Sequence, residues 1–392
     1  MIFVTTLADS GLGSFRAACE AEGPRTVIFR VAGTIALRSP INVRNPYLTV
    51  AGQSAPGEGV CLRDNSFGIS THDVVVRFLR SRLGDTSGVQ GDCINLNNGA
   101  RNVILDHCSA TWSVDECLST SGDNADCTIQ WSLIGESLNR SRHAKGSHGY
   151  GSLARANGAM SWHHNLWIHN DARNPRLGDN YGRDGRRPSF DVRNNVIYGF
   201  GGTASGLTQG RFSVNYVGNY LRPGPGSRAK TPITVGNPSE LVFHLAGNIW
   251  EPDPALPPEQ FFNALEVEGR KQVTLSGQPF PLPPVTTVSA QEAYERVLAQ
   301  VGASRPARDT VDARLIRQVR ERTGRLIDSQ TEVGSWPELR PGALPVDSDE
   351  DGMPDAWERA RGLDPRNARD NSLVLASGYT AIEEYLNELA RP

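Results

Sequence analysis

No stretch of the 392-residue chain approaches the 18 apolar residues that a membrane-spanning helix needs, so no membrane partner is expected. There is no excess of basic charge either. The formal net charge is −3, which leaves no global field for nucleic acid. Met1 leads straight into IFVTTLADSGLGSF, without a basic segment, long apolar stretch and cleavage site. A signal peptide is therefore expected to be absent or already removed. No pair of cysteines has CxxC spacing, which argues against a structural zinc site. Long helical patterns are scarce over the first 250 residues.

What is present is strand-and-turn material. Gly is 40 and Pro 25 of the 392 residues. Short β-branched runs such as Thr26-Val-Ile-Phe, Asp73-Val-Val-Val and Asn102-Val-Ile-Leu alternate with Gly/Asn/Asp/Ser turns. The runs recur. Asn102-Val-Ile-Leu and Asp126-Cys-Thr-Ile are 24 residues apart, as are Cys93 and Cys117. Asn165, Asn195, Asn219 and Asn248 each precede an apolar pair, at steps of 30, 24 and 29 residues. Such a repeat without intervening helices predicts an all-β solenoid, a parallel β-helix. The asparagines are expected to tolerate left-handed backbone and to stack as an amide ladder. All six cysteines lie in the first third of the chain. Cys93 and Cys117, one coil apart, are expected to form a disulfide, with packed thiols as the alternative.

The pattern predicts a parallel β-helix domain over 1–250, the part of the chain that also holds the candidate active-site residues. A Pro-rich connector follows over 251–340, with a strand-like piece at Gln272-Val-Thr-Leu and helices packing on the β-helix at 289–300 and 311–320. The tail, 341–392, carries Asp347, Asp349, Asp351, Asp355 and Glu358 at positions 1, 3, 5, 9 and 12 of a window with Gly352 at 6. This is the spacing of an EF-hand calcium loop, in which hard carboxylate oxygens converge and glycine permits the turn. The ion is expected to be structural, with a helix from Thr380 to Leu389 beyond it.

Chemistry concentrates elsewhere. The stretch His163–Gly178 runs from an apolar alternation into Arg173-Asn174-Pro175-Arg176, a rigid kink with two cations beside it. Arginines so placed suit an acidic substrate. Asp92 and Glu116 are 24 residues apart, so stacking brings them to one face, with Asp115 beside them. Adjacent carboxylates repel unless they protonate or bind a cation, and calcium is the natural outcome. Lys145 lies between the acidic coils and the Arg173 coil. Asp106-His107 is expected to be a hydrogen-bonded turn pair, and His163 and His164 to be mainly structural.

The segments VILDHCSATWSVDE (103–116), HGYG (148–151), SWHHNLWIHNDARNPRLG (161–178), TVIFRVAGTI (26–35) and LTVAGQSAPGEGVCLR (48–63) together resemble pectate lyases of polysaccharide lyase family 1. The resemblance implies a secreted enzyme, extracellular or periplasmic and expected to be monomeric, with a right-handed parallel β-helix. It also implies calcium-assisted β-elimination on polygalacturonate, giving 4,5-unsaturated oligogalacturonides. It assigns Arg173 as the base that removes the C5 proton, and Lys145 and Arg176 as binders of substrate carboxylates. Asp92, with Asp115 or Glu116, becomes the active-site calcium set. Where the family commonly has another calcium-binding aspartate, this chain reads Cys117-Leu-Ser119-Thr120. The alternatives are a lyase on methylated pectin, for which the acidic cluster has no use, a β-helix glycoside hydrolase, which would leave the cations idle, and a non-catalytic module binding acidic polysaccharide.

Overall fold

The computed structural model describes residues 1–180, 185–207, 210–236, 239–263, 266–267, 270–271 and 273–391. Its body is a parallel β-solenoid of about nine coils. One coil runs through His72–Arg77, Arg80–Arg82 and Ile94–Asn97, and the chain then returns to Arg101–Asp106 beside His72–Arg77. The three strands of each coil feed three sheets, here called A, B and C. Among the described residues these hold eleven, nine and eight strands. In-register stacking repeats each inward position, so Val74, Val103, Cys127, Met160 and Phe190 form one continuous buried column. At the first coil, helix α1 (Phe15–Glu20), capped by the Ser14 hydroxyl, buries Phe15, Ala18 and Cys19 in the same core.

The turn from sheet A to sheet B is only two residues long at most coils, and the ladder asparagines sit in it. The Nδ2 of Asn165 donates to Asn195 Oδ1 (3.1 Å), Asn195 to Asn219 (2.9 Å) and Asn219 to Asn248 (2.9 Å). The left-handed residue is the one before each asparagine, namely His164 (φ 56°), Asn194 (φ 53°), Gly218 and Gly247 (both φ 62°). In the earlier coils that position carries rings. Phe78, His107, Trp131 and His164 stack with centroid separations of 4.8, 5.8 and 4.3 Å. Asn195 is fully buried, and its side chain also donates to Trp162 O and accepts from Asn165 N. Asn195→Ala leaves several of these groups without partners. It is expected to cost about 3 kcal/mol of stability in urea titrations, at roughly 1–3 kcal/mol per orphaned group.

Burial also pushes His163 and His164 down from 6.5 to about 4 and about 3, so both are neutral in the fold. The unfolded chain binds their protons first. Their contribution to stability is therefore complete above pH 6.5 and is lost progressively as the pH drops toward 3. His164→Asn, which tolerates the left-handed turn, is expected to flatten that acid limb in thermal melts.

The expected Cys93–Cys117 disulfide is absent, and all six cysteines are buried free thiols. The two are neighbours in the stack, but each sulfur turns to a carbonyl instead: Cys93 to Thr111 O (3.0 Å) and Cys117 to Gly135 O (3.3 Å). They serve as small core residues.

Stacking continues past residue 250, because Val273–Leu275 joins sheet A beside Ser239–Ala246; Gln272 lies outside the described residues. Two helices, α2 (Ala290–Gln300) and α3 (Thr310–Glu321), place Val297, Leu298, Leu315 and Val319 in the core they share with the coils. Helix α3 is also held by charge. Arg82, fully buried on sheet B, donates to Asp309 and to Asp312 Oδ1 (2.8 Å), while Arg314 grips Glu136 through two bonds of 2.6 and 2.7 Å. The last two helices are α4 (Asp355–Arg361) and α5 (Ala381–Leu389).

Candidate active site and C-terminal acidic loop

Four successive loops lead from sheet B to sheet C, over 83–93, 112–117, 136–152 and 169–175. Parallel stacking places them side by side. Tyr150 bridges to Glu116 on one side and to Ala172 on the other, so three coils are in register there. The Cys93 N–H donates to Glu116 O (3.2 Å), which sets Asp92 one coil further along. Close packing of these loops requires a glycine at 151, where a Cβ would lie 2.6 Å from Arg173 O.

Asp92, Asp115 and Glu116 each offer an oxygen within 4.8 Å of the others. Asp92 Oδ1 accepts from Glu116 N (3.1 Å), and its other oxygen accepts from the Ser119 hydroxyl. Ser119, in the segment without an acid, thus holds Asp92 in place. Asp115 Oδ1 lies 2.8 Å from His148 Nε2, and the His143 and His148 rings stack at 3.9 Å. Desolvation pushes Asp92 up to about 7; Asp115 adds to this, while the Ser119 hydroxyl and Arg173 oppose it. Crowded, desolvated carboxylates of this kind are suited to a hard divalent cation.

Arg173 faces this trio. Its backbone is left-handed (φ 63°), and the peptide bond between Asn174 and Pro175 is cis. The guanidinium lies 3.9 Å above the Tyr150 ring, and Nη1 donates to Glu116 Oε1. Burial, reinforced by Arg176, lowers its pKa to about 10 against the pull of Asp115 and Asp92. Arg176 opens the next strand of sheet C, Arg176–Asp179. Lys145 sits exposed on the 136–152 loop, where its charge reaches His148. The structure therefore brings Asp92, Asp115, Glu116 and Arg173 together, with the charge of Arg176 acting on Arg173 and Lys145 exposed on the neighbouring loop. Tyr150, His143 and His148 belong to the same cleft and carry no role in the sequence reading. The HGYG motif contains two of them, but nothing in its pattern says that Tyr150 stacks on an arginine. Asp106 and His107 (2.7 Å apart), like His163 and His164, lie at the A-to-B turn instead.

In the tail, Asp347, Asp349 and Asp351 form one close trio, and Asp351, Glu358 and Asp370 form another. Asp355 is turned away from both, accepting from Ser348 N (2.8 Å), Ser348 Oγ (2.9 Å) and Arg359 (2.8 Å). Asp370 had no signal in the sequence, because it lies beyond the 12-residue window. Burial, with the surrounding carboxylates, pushes Asp351 and Glu358 each up to about 7.

No protein-family model matches the chain. Curated relatives named "Probable pectate lyase C" do match it. The protein from Aspergillus fumigatus is 34% identical over 393 residues and that from Aspergillus terreus 35% over 395, in both cases across 98% of this chain and 88% of the relative. The chain belongs to the pectate lyase family. It is a polysaccharide lyase, an enzyme with pectate lyase activity. Among solved structures, the cedar pollen allergen Jun a 1 superposes with a TM-score of 0.50 at 14% identity, covering 76% of this chain and 87% of that one. That likeness concerns the fold alone. Among the described residues of this pectate lyase, no helix is long and apolar enough to cross a membrane.

Proposed function

We propose that this exported enzyme cleaves α-1,4-polygalacturonate by calcium-assisted β-elimination, with Arg173 as the base. The observation that carries this reading is a half-buried arginine held against three converging carboxylates from two successive coils. The donor set fits calcium, since Asp92, Asp115 and Glu116 supply hard oxygens around one point. When bound there, calcium would neutralise a substrate carboxylate and make the C5 proton more acidic. Arg176 and Lys145 bind neighbouring uronate carboxylates as charge-assisted partners. Arg173, in its neutral form, accepts the C5 proton. The C5–H electrons become the C4=C5 double bond, the C4–O4 bond breaks, and O4 leaves and takes a proton from solvent. An arginine base requires a neutral guanidine, and both burial and Arg176 favour that form. Tyr150 keeps the guanidinium plane fixed from below. The loop at 347–358 is assigned a second, structural calcium.

Product masses test the reaction class. Elimination splits a defined oligogalacturonate into fragments whose masses sum to that of the substrate. A sum larger by one water would mean hydrolysis and would refute the proposal. Chelator is expected to stop turnover and added calcium to restore it; undiminished turnover in chelator would remove calcium from the site.

A further inference from the structure

The tail holds a group of carboxylates that the protein itself does not neutralise. Asp351 and Glu358 are 1% and 0% exposed. Both oxygens of Glu358, both of Asp349, one of Asp351 and one of Asp370 are buried without a hydrogen-bond partner. Among the described residues none of these four carboxylates has a basic side chain in ion-pair contact, and Asp351, Glu358 and Asp370 point oxygens at one another within 4.8 Å. Orphaned buried carboxylate oxygens are costly unless a cation meets them.

The three come from different segments. Asp351 lies in the loop before α4, Glu358 within α4, and Asp370 in the turn that leads on to α5. The loop before α4 and helix α5 carry the contacts with the solenoid, and α4 adds Trp357 beside their apolar core. Asp347 pairs with Arg30 (2.9 Å). Met353, Ala381, Ile382 and Leu386 form a small core of their own with Ile28 and Ala51, which belong to the first two strands beyond the N-terminal one in sheet A. Gln53 Nε2 donates to Leu386 O (3.3 Å) and Arg77 Nη1 to Asn387 Oδ1 (3.0 Å).

We propose that Asp370, with Asp349, Asp351 and Glu358, completes a calcium site that acts as a clasp. The ion ties the loop, α4 and the Asp370 turn into one unit and so fastens the tail across sheet A at the N-terminal coils. This rests on the assignment of a cation to loop 347–358 and adds to it both the closing ligand and the consequence of occupancy. Without the ion, mutual repulsion opens the cluster and releases the satellite core. Calcium suits the site better than magnesium because the carboxylate donors are numerous, more than the one or two that magnesium usually takes from a protein.

The test uses the full chain carrying Glu116→Gln, which weakens the active-site cluster, and compares it with the same chain carrying Asp370→Asn or Asp351→Asn. Two readouts are terbium luminescence sensitised by Trp357, and the rate of proteolytic cutting in 362–380 with calcium or with chelator. Circular dichroism of the β-helix controls for folding. The expected result is a site whose terbium affinity falls about tenfold or more in both variants, with calcium slowing tail cutting about tenfold in the Glu116→Gln chain and not in Asp370→Asn. Terbium binding that Asp351→Asn weakens but Asp370→Asn does not would overturn Asp370 as a ligand while leaving the loop assignment standing. Tail cutting indifferent to calcium, despite binding, would overturn the clasp. Binding unaffected by either variant would overturn the loop assignment and the clasp together.

Discussion

Arg173→Lys is expected to lower kcat on polygalacturonate by about a thousandfold, the scale set by losing a positioned proton acceptor, while the thermal midpoint stays close to that of the parent. The substitution keeps a cation and a backbone equally able to occupy φ 63°. It removes the planar group that lies 3.9 Å above Tyr150 and contacts Glu116. A lysine amine is a point charge that cannot keep the same stacked plane. Binding of oligogalacturonate, measured by calorimetry on the inactive variant, is expected to persist because Arg176 and Lys145 remain. A variant that keeps turnover within tenfold of the parent would move the base elsewhere.

Arg82→Met is expected to have the largest effect on stability, a loss of about 3–5 kcal/mol in urea titrations. Arg82 is fully buried and stands between Asp309 and Asp312. Burial alone would raise the Asp309 pKa, but Arg82 and then Arg80 overcome it and hold the group at about 2. That part of the stability is therefore present above pH 3.8 and is lost as the pH falls toward 2. With methionine at 82, two carboxylates remain in the α3 interface with weakened neutralisation. The strand Arg80–Arg82 leads directly into loop 83–93, which carries Asp92. Loosening α3 is therefore expected to raise the calcium concentration needed for activity as well. An unchanged urea midpoint would mean that α3 is held by its apolar face alone.

The solenoid was legible because its signal repeats. Asn165, Asn195, Asn219 and Asn248 do the same work in the same turn, and amides that bond to their own kind one coil away leave a periodic trace. The acidic side of the cleft was legible for the same reason, since Asp92 and Glu116 are one coil apart. The rest lies where the repeat breaks. The loops 136–152 and 169–175 differ in length, so no register links Tyr150 to Arg173 until the chain is folded. The cysteine expectation failed on side-chain direction: the 24-residue step places Cys93 beside Cys117, but it does not say that each thiol turns to a carbonyl. Asp370 escaped because a calcium-loop window ends at Glu358, and only packing of the tail brings a further carboxylate to it.

The most direct measurement follows the ultraviolet absorbance of a 4,5-unsaturated uronate while the enzyme acts on polygalacturonate, for the parent and for Arg173→Lys, with calcium and with chelator. The expected result is a steady rise for the parent with calcium, and almost none with chelator or with lysine at 173. No rise under any condition, while reducing ends accumulate, would contradict elimination at this site.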